Sequence, residues 1–212
     1  MFVDAFTRIS FIPVKTGDCR PIDHEMYIII IYIRFRLPAR HVRRITAAPE
    51  IGYVGVKLLY PDGTVQHGGV ICGIGGIAGH AHKHFPRAAP GYYQRLRLVQ
   101  NLSAVTAACL LVRRTVYDEV GGLNEEDLTV AFNDVDFCLR VREAGYRNVW
   151  TPRAQLIHHE SRSRGTDDTP KKQARFKREK QHMKQRWGGS LRRDPYNNPN
   201  LSHRFEDFSI EV

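Results

Sequence analysis

The chain has 212 residues, of which 42% are apolar, and that is enough for one good core or two small domains. This composition excludes collagen, coiled coil and wholesale disorder. Lys and Arg number 32 against 22 Asp and Glu, a net charge of +10, so an anionic partner is expected before a cationic one. The excess is local, because residues 151–193 hold thirteen Lys or Arg and only four acids.

Four cysteines, Cys19, Cys72, Cys109 and Cys138, are spread along the chain without a CxxC pair. That spacing argues against a structural zinc site and against a disulfide-dense secreted fold, and fits a reducing, cytoplasmic setting. The strongest apolar run, Met26 to Ile33, has eight residues, where a membrane-spanning helix needs about twenty. The opening residues lack the basic and apolar regions of a signal peptide.

In chain order, residues 1–49 form an atypical N-terminal segment. Its β-branched run Met26–Ile33 reads as a short buried strand, and Arg34, Arg36, Arg40, Arg43 and Arg44 crowd around Pro38. Tyr53–Tyr60 and Thr64–Cys72 read as a hairpin closed by Pro61-Asp62-Gly63. Residues 73–91 are punctuated by Gly and Pro and read as a long loop. The small, apolar run Ser103–Val112 is expected to be one strand buried on both faces. Arg113–Val120 is a short helix stopped by Gly121-Gly122. Asp134–Ala144 is the best helix in the sequence, with Asp134 able to cap it and Gly145 at C′. Asn148–Trp150 follows as a short strand ended by Thr151-Pro152. Lys171–Arg193 reads as a basic amphipathic helix with Phe176, Met183 and Trp187 on one face, ending at Gly188-Gly189. That apolar stripe docks on the chain's own core or serves an anionic surface. The alternation of strands and helices implies mixed α/β layers.

Three constellations could carry chemistry. Asn133-Asp134-Val135-Asp136 opens a helix, where free N–H groups stabilise a carboxylate as an anionic base or a cation ligand; the plainer reading is an N-cap. Ile157-His158-His159-Glu160-Ser161-Arg162-Ser163-Arg164-Gly165 gathers imidazoles suited to a divalent metal and guanidiniums suited to phosphate, or is a solvated loop. His80, His82 and His84 would share one side of an extended segment, although no fourth ligand lies nearby in sequence.

Residues 54–69 (VGVKLLYPDGTVQHGG), 103–114 (SAVTAACLLVRR), 120–126 (VGGLNEE), 132–147 (FNDVDFCLRVREAGYR) and 150–161 (WTPRAQLIHHES) together resemble the C-terminal half of a bacterial family 2 glycosyltransferase. The likeness is to rhamnosyltransferase-like members of cell-surface polysaccharide assembly, and it extends over residues 50–209. It implies an α/β fold, a partial GT-A mixed sheet with flanking helices. It further implies a nucleotide-sugar donor, a divalent metal (Mg or Mn), and a saccharide or lipid-linked acceptor in polysaccharide or O-antigen synthesis. Asp134 resembles the family's general base for an inverting displacement. Asn133 stands where many relatives have Glu, and Asp136 is a weaker substrate-binding candidate. His158 or His159 resembles a late histidine of the metal or pyrophosphate site, and Arg162 and Arg164 would face the diphosphate.

A complete member would begin with a nucleotide-binding βαβ half carrying an Asp-x-Asp-like motif, which residues 1–49 do not resemble. The chain is therefore expected to be truncated or frameshifted, with a transferase half over 50–165 and a basic helical tail with C-terminal extension over 166–212. The competing expectation is a catalytically incompetent fragment acting as a basic binding module. The tail could touch the inner face of the membrane peripherally. No helix-turn-helix, finger or aromatic RNA-binding signature is present, which argues against a nucleic-acid reader.

Overall fold

The computed structural model describes residues 26–30, 48–159 and 169–210. The architecture is mixed α/β. In chain order it comprises β1 (Met26–Ile30), β2 (Ile51–Leu59), β3 (Val65–His67), β4 (Val70–Cys72), β5 (Ala78–His80), β6 (Gln100–Leu102), β7 (Cys109–Arg113), α1 (Arg114–Glu119), α2 (Asn133–Glu143), β8 (Arg147–Ile157) and α3 (Pro170–Arg192). Six strands form one sheet in the order β1-β7-β2-β8-β6, with β3 also paired to β2; β4 and β5 make a separate ribbon. Among the described strands of this sheet only β2 and β8 run parallel.

Strand β2 is the axis of the fold, and all nine of its residues are buried. Tyr53 and Leu59 join the cluster under α2 and α3, while Val54, Val56 and Leu58 join the cluster on the opposite face. This two-sided coverage explains why the strand is nearly continuous in apolar residues. At Gly55 a Cβ would stand 2.6 Å from Val105, so the glycine lets the segment joining β6 to β7 press directly onto the sheet.

The hairpin forms as expected: Asp62 accepts hydrogen bonds from the Thr64 N–H and hydroxyl, both at 2.8 Å. Its return strand is not continuous to Cys72, however. Gly69 takes φ +105° and a Cβ there would meet Leu102 at 2.3 Å, so the chain turns after β3 and sends β4 to pair with β5. That pairing also gives the expected loop over residues 73–91 a strand of its own.

The run Ser103–Val112 divides in the same way. Only Cys109 onward is strand, because β6 lies beside β8 while β7 lies beside β2 on its other side, and residues 103–108 must cross the sheet between them. They are buried by crossing, which explains their small apolar character without a ladder.

Helix α2 ends in the expected αL glycine. Gly145 at φ +89° places its N–H on Arg142 O and the Tyr146 N–H on Val141 O, a Schellman cap. Strand β8 does not stop at Pro152. Thr151 pairs with Val56 and Gln155 with Lys57, so three residues bulge out, and a proline without an N–H is tolerated there.

Helix α3 likewise runs past Gly188-Gly189 to Arg192. Trp187 and Leu191 are buried on either side of the pair, and this packing overrides the low helix propensity of glycine. Of the expected stripe, Met183 and Trp187 dock on the chain's own core, joined by Leu191 in the cluster shared with α2, whereas Phe176 is exposed and meets the partly buried Phe132 ring at the edge of that cluster. Glu179, the sole acid between Lys171 and Arg193, is buried. It accepts hydrogen bonds from the Thr129 hydroxyl and from the N–H groups of Val130 and Ala131, all at 3.0 Å. Among the described residues no helix is long and apolar enough to cross a membrane.

Candidate functional site at the start of helix α2

The three polar residues that open α2 point to three different places, because successive helical residues rotate by about 100°. Asp134 is half-buried and turns toward the crossing segment: Oδ2 accepts the Ala107 N–H at 3.2 Å and Oδ1 accepts the Val135 N–H at 2.9 Å. It is not the N-cap; that position is Phe132, in the αL region at φ 63° with no side-chain cap bond.

Asn133 is buried, and its amide holds the preceding loop. Oδ1 accepts the Asn124 N–H at 2.9 Å, while Nδ2 donates to Asn124 O at 3.0 Å and Leu128 O at 2.8 Å. A carboxylate could not make the two donated bonds. Asn133→Asp is accordingly expected to cost about 1–3 kcal/mol, read by urea denaturation; an unchanged midpoint would contradict this role.

Asp136 lies on the far side of the helix, 1% exposed, where Oδ1 accepts the Trp187 Nε1–H at 2.7 Å and Oδ2 pairs with Arg140 Nε at 2.8 Å. Its carboxylate faces the core and the wall of an open cleft of about 510 Å³ between residues 121–127 and α3.

Next to Asp134 along the crossing segment is a residue with no conspicuous sequence signal, His67. It is fully buried. Nε2 accepts the Thr106 N–H at 3.4 Å, so in the neutral ring the proton sits on Nδ1 and faces His80 Nδ1 at 2.9 Å. Burial, together with His80 and His158, holds its pKa well below the ordinary histidine range. Consecutive N–H groups of one turn, those of Thr106 and Ala107, thus tie His67 to Asp134.

Of the two late histidines, His158 turns inward. Its N–H continues the β2–β8 ladder to Leu59 O at 2.9 Å, and Nδ1 lies 2.8 Å from Gln66 Oε1, whereas His159 is exposed. Arg162 and Arg164 lie outside the described residues, as does Cys19.

His80, His82 and His84 do not share a side, because His82 and His84 both adopt positive φ and break the extended alternation. His80 meets His67, His82 packs against Phe85 and Phe208, and His84 stacks on Tyr60. Among the described residues no three His, Cys, Asp or Glu side chains gather as metal ligands.

His82 nevertheless has a testable consequence. Its Nε2 accepts the Tyr92 N–H at 3.0 Å, and burial, aided by Arg95 and Lys57, pushes its pKa down from 6.5 to about 4. Above pH 6.5 it is neutral whether folded or unfolded. As pH falls from 6.5 to 4 the unfolded chain takes up the proton first, so stability drops by about 3 kcal/mol across that window. Urea denaturation at both ends should show this loss reduced in His82→Gln; an equal loss in that variant would refute the assignment.

No family model matches the chain. It is 59% identical over 162 residues to an uncharacterized protein, y4gI, of Sinorhizobium fredii, covering 76% of this chain and 18% of that protein. It is 42% identical over 123 residues to the O-antigen biosynthesis protein RfbC of Myxococcus xanthus, covering 58% and 10% respectively. Over 126 residues it is 29% identical to an N-acetylglucosaminyl-diphospho-decaprenol L-rhamnosyltransferase of Mycobacterium tuberculosis, covering 56% and 41%. The chain therefore spans less than half the length of each of these relatives, and two of them are named for O-antigen synthesis or for sugar transfer.

Proposed function

We propose that the chain carries the acceptor-side half of a GT-A-type glycosyltransferase, which moves a sugar from a nucleotide-diphosphate donor to a hydroxyl of a polysaccharide or O-antigen acceptor. The observation that supports this most is the division of labour at the start of α2. Asn133 and Asp136 are consumed in internal hydrogen bonds, while Asp134 is half-buried with one N–H on each oxygen, leaving each oxygen a further acceptor position. In that role Asp134 takes the proton of the acceptor hydroxyl as its oxygen bonds to the anomeric carbon. The bond to the diphosphate breaks on the opposite side, inverting the centre. The Ala107 N–H holds the carboxylate in place for this step. Among the described residues no three His, Cys, Asp or Glu side chains gather as ligands for a divalent ion, so no step here passes through one. Arg162 and Arg164 would offset the charge of the leaving diphosphate.

Calorimetric titration with UDP and dTDP, each with and without manganese, tests the donor side. Metal-dependent micromolar binding is expected if the donor pocket is complete. A second reading is favoured by the exposed Lys171, Lys177, Arg178, Lys184, Arg192 and Arg193 along and just after α3: a basic module that binds acidic polysaccharide. Retention on heparin resin with release by moderate salt, together with silence toward every nucleotide, would select it.

A further inference from the structure

We propose that Lys57, Arg87 and Arg97 form an anion site for the oxygens of a phosphate or diphosphate group. Lys57 is the one charged residue of β2 and is 2% exposed. Buried charges are ordinarily matched by an opposite charge. Here the ammonium, with three donors, gives one hydrogen bond, to Arg87 O at 2.8 Å. Arg87 spans the pair that Lys57 makes with its cross-strand neighbour Gln155. Its carbonyl takes the ammonium, and its Nε donates to Gln155 Oε1 at 2.9 Å. Arg97 is fixed by neutral acceptors too, Gln94 Oε1 at 3.3 Å and Ala88 O at 3.2 Å.

Among the described residues none of the three cations has a carboxylate partner. Burial, then Arg87 and Arg97, act together to lower the Lys57 pKa. Three cations held in place by neutral groups repel one another until an anion joins them. Two guanidinium forks with an ammonium suit tetrahedral phosphate oxygens. Arg87 and Arg97 are exposed, so the anion arrives from solvent, and Arg87 leaves Gln155 to receive it. The site stands apart from the transfer reading, since none of its residues touches Asp134.

Titration of the whole chain with inorganic pyrophosphate tests it, with Lys57→Met and Arg97→Gln as variants. Weakening of at least tenfold in both is expected, whereas the exposed cations of α3 give a salt-sensitive background equal in all variants. Should Lys57→Met fail to fold, Arg97→Gln, a change at an exposed side chain, decides alone. A rise in the Lys57 amine titration midpoint on adding pyrophosphate, followed by NMR of methylated lysines, is the independent signature. Competition by UDP assigns a nucleotide carrier for the anion, and competition by geranyl diphosphate assigns a lipid carrier; either supports the site. Pyrophosphate binding that is absent, or equal in wild type and both variants, overturns it. Asp134→Asn leaves this binding unchanged, so failure here and failure of the transfer reading are told apart.

Discussion

Asp134→Asn is expected to lower sugar transfer by roughly 10²–10⁴-fold, the usual contribution of a positioned general base, while the protein stays folded. The substitution keeps the size of the side chain and one acceptor oxygen. Because Asp134 receives two N–H groups, from Ala107 and Val135, the amide NH₂ must face one of them, so a loss of about 1 kcal/mol in stability accompanies the change. Transfer measured in the active assembly, beside a urea melt of the same preparation, separates the two effects. Unimpaired transfer by Asp134→Asn would remove Asp134 from the chemistry.

Asp136→Ala, two residues along the same helix, is expected to do the reverse and cost about 3–5 kcal/mol of stability. This carboxylate gathers Trp187 Nε1 at 2.7 Å, Arg140 Nε at 2.8 Å and Arg186 Nε at 3.7 Å. Arg140 in turn donates to Val120 O and, at 2.7 Å, to Gly122 O. Removing Asp136 strands a buried indole N–H and a mostly buried guanidinium at once, and releases α3 from α2. A double-mutant cycle with Trp187→Phe should return a coupling of about 1–3 kcal/mol between the two side chains. A loss below about 1 kcal/mol for Asp136→Ala would mean that α3 is held by its apolar stripe alone.

The site was legible in the sequence to the extent that its chemistry is local. A carboxylate at a helix start can be read from Asn133-Asp134-Val135-Asp136 and the glycines before it, and the αL end at Gly145 follows from the pattern alone. Which of the two aspartates faces outward is set by the partner at α3, Trp187, 51 residues from Asp136 in sequence. His67 and Lys57 gave no local signal, since one sits in a short strand and the other inside an apolar one. Glu179 did carry a signal, as the sole acid in a basic stretch and four residues before Met183.

By itself the sequence determined the mixed α/β class, the hairpin at Pro61-Asp62-Gly63, the existence of α2 and α3, and the localisation of positive charge. These follow from periodicity, turn chemistry and composition, which act over a few residues. Only the tertiary structure decided where strands end and which polar groups are internal. Ser103–Val112 reads as one strand but leaves the ladder at its first half, because the chain must cross β8 and β2. Thr151-Pro152 reads as a stop but becomes a bulge, because β2 offers a parallel partner beyond it. Gly188-Gly189 reads as a helix end but stays helical, because Trp187 and Leu191 are buried on either side of it. In each case burial against a distant segment outweighs the local preference, which for the two helical glycines costs about 1 kcal/mol per residue.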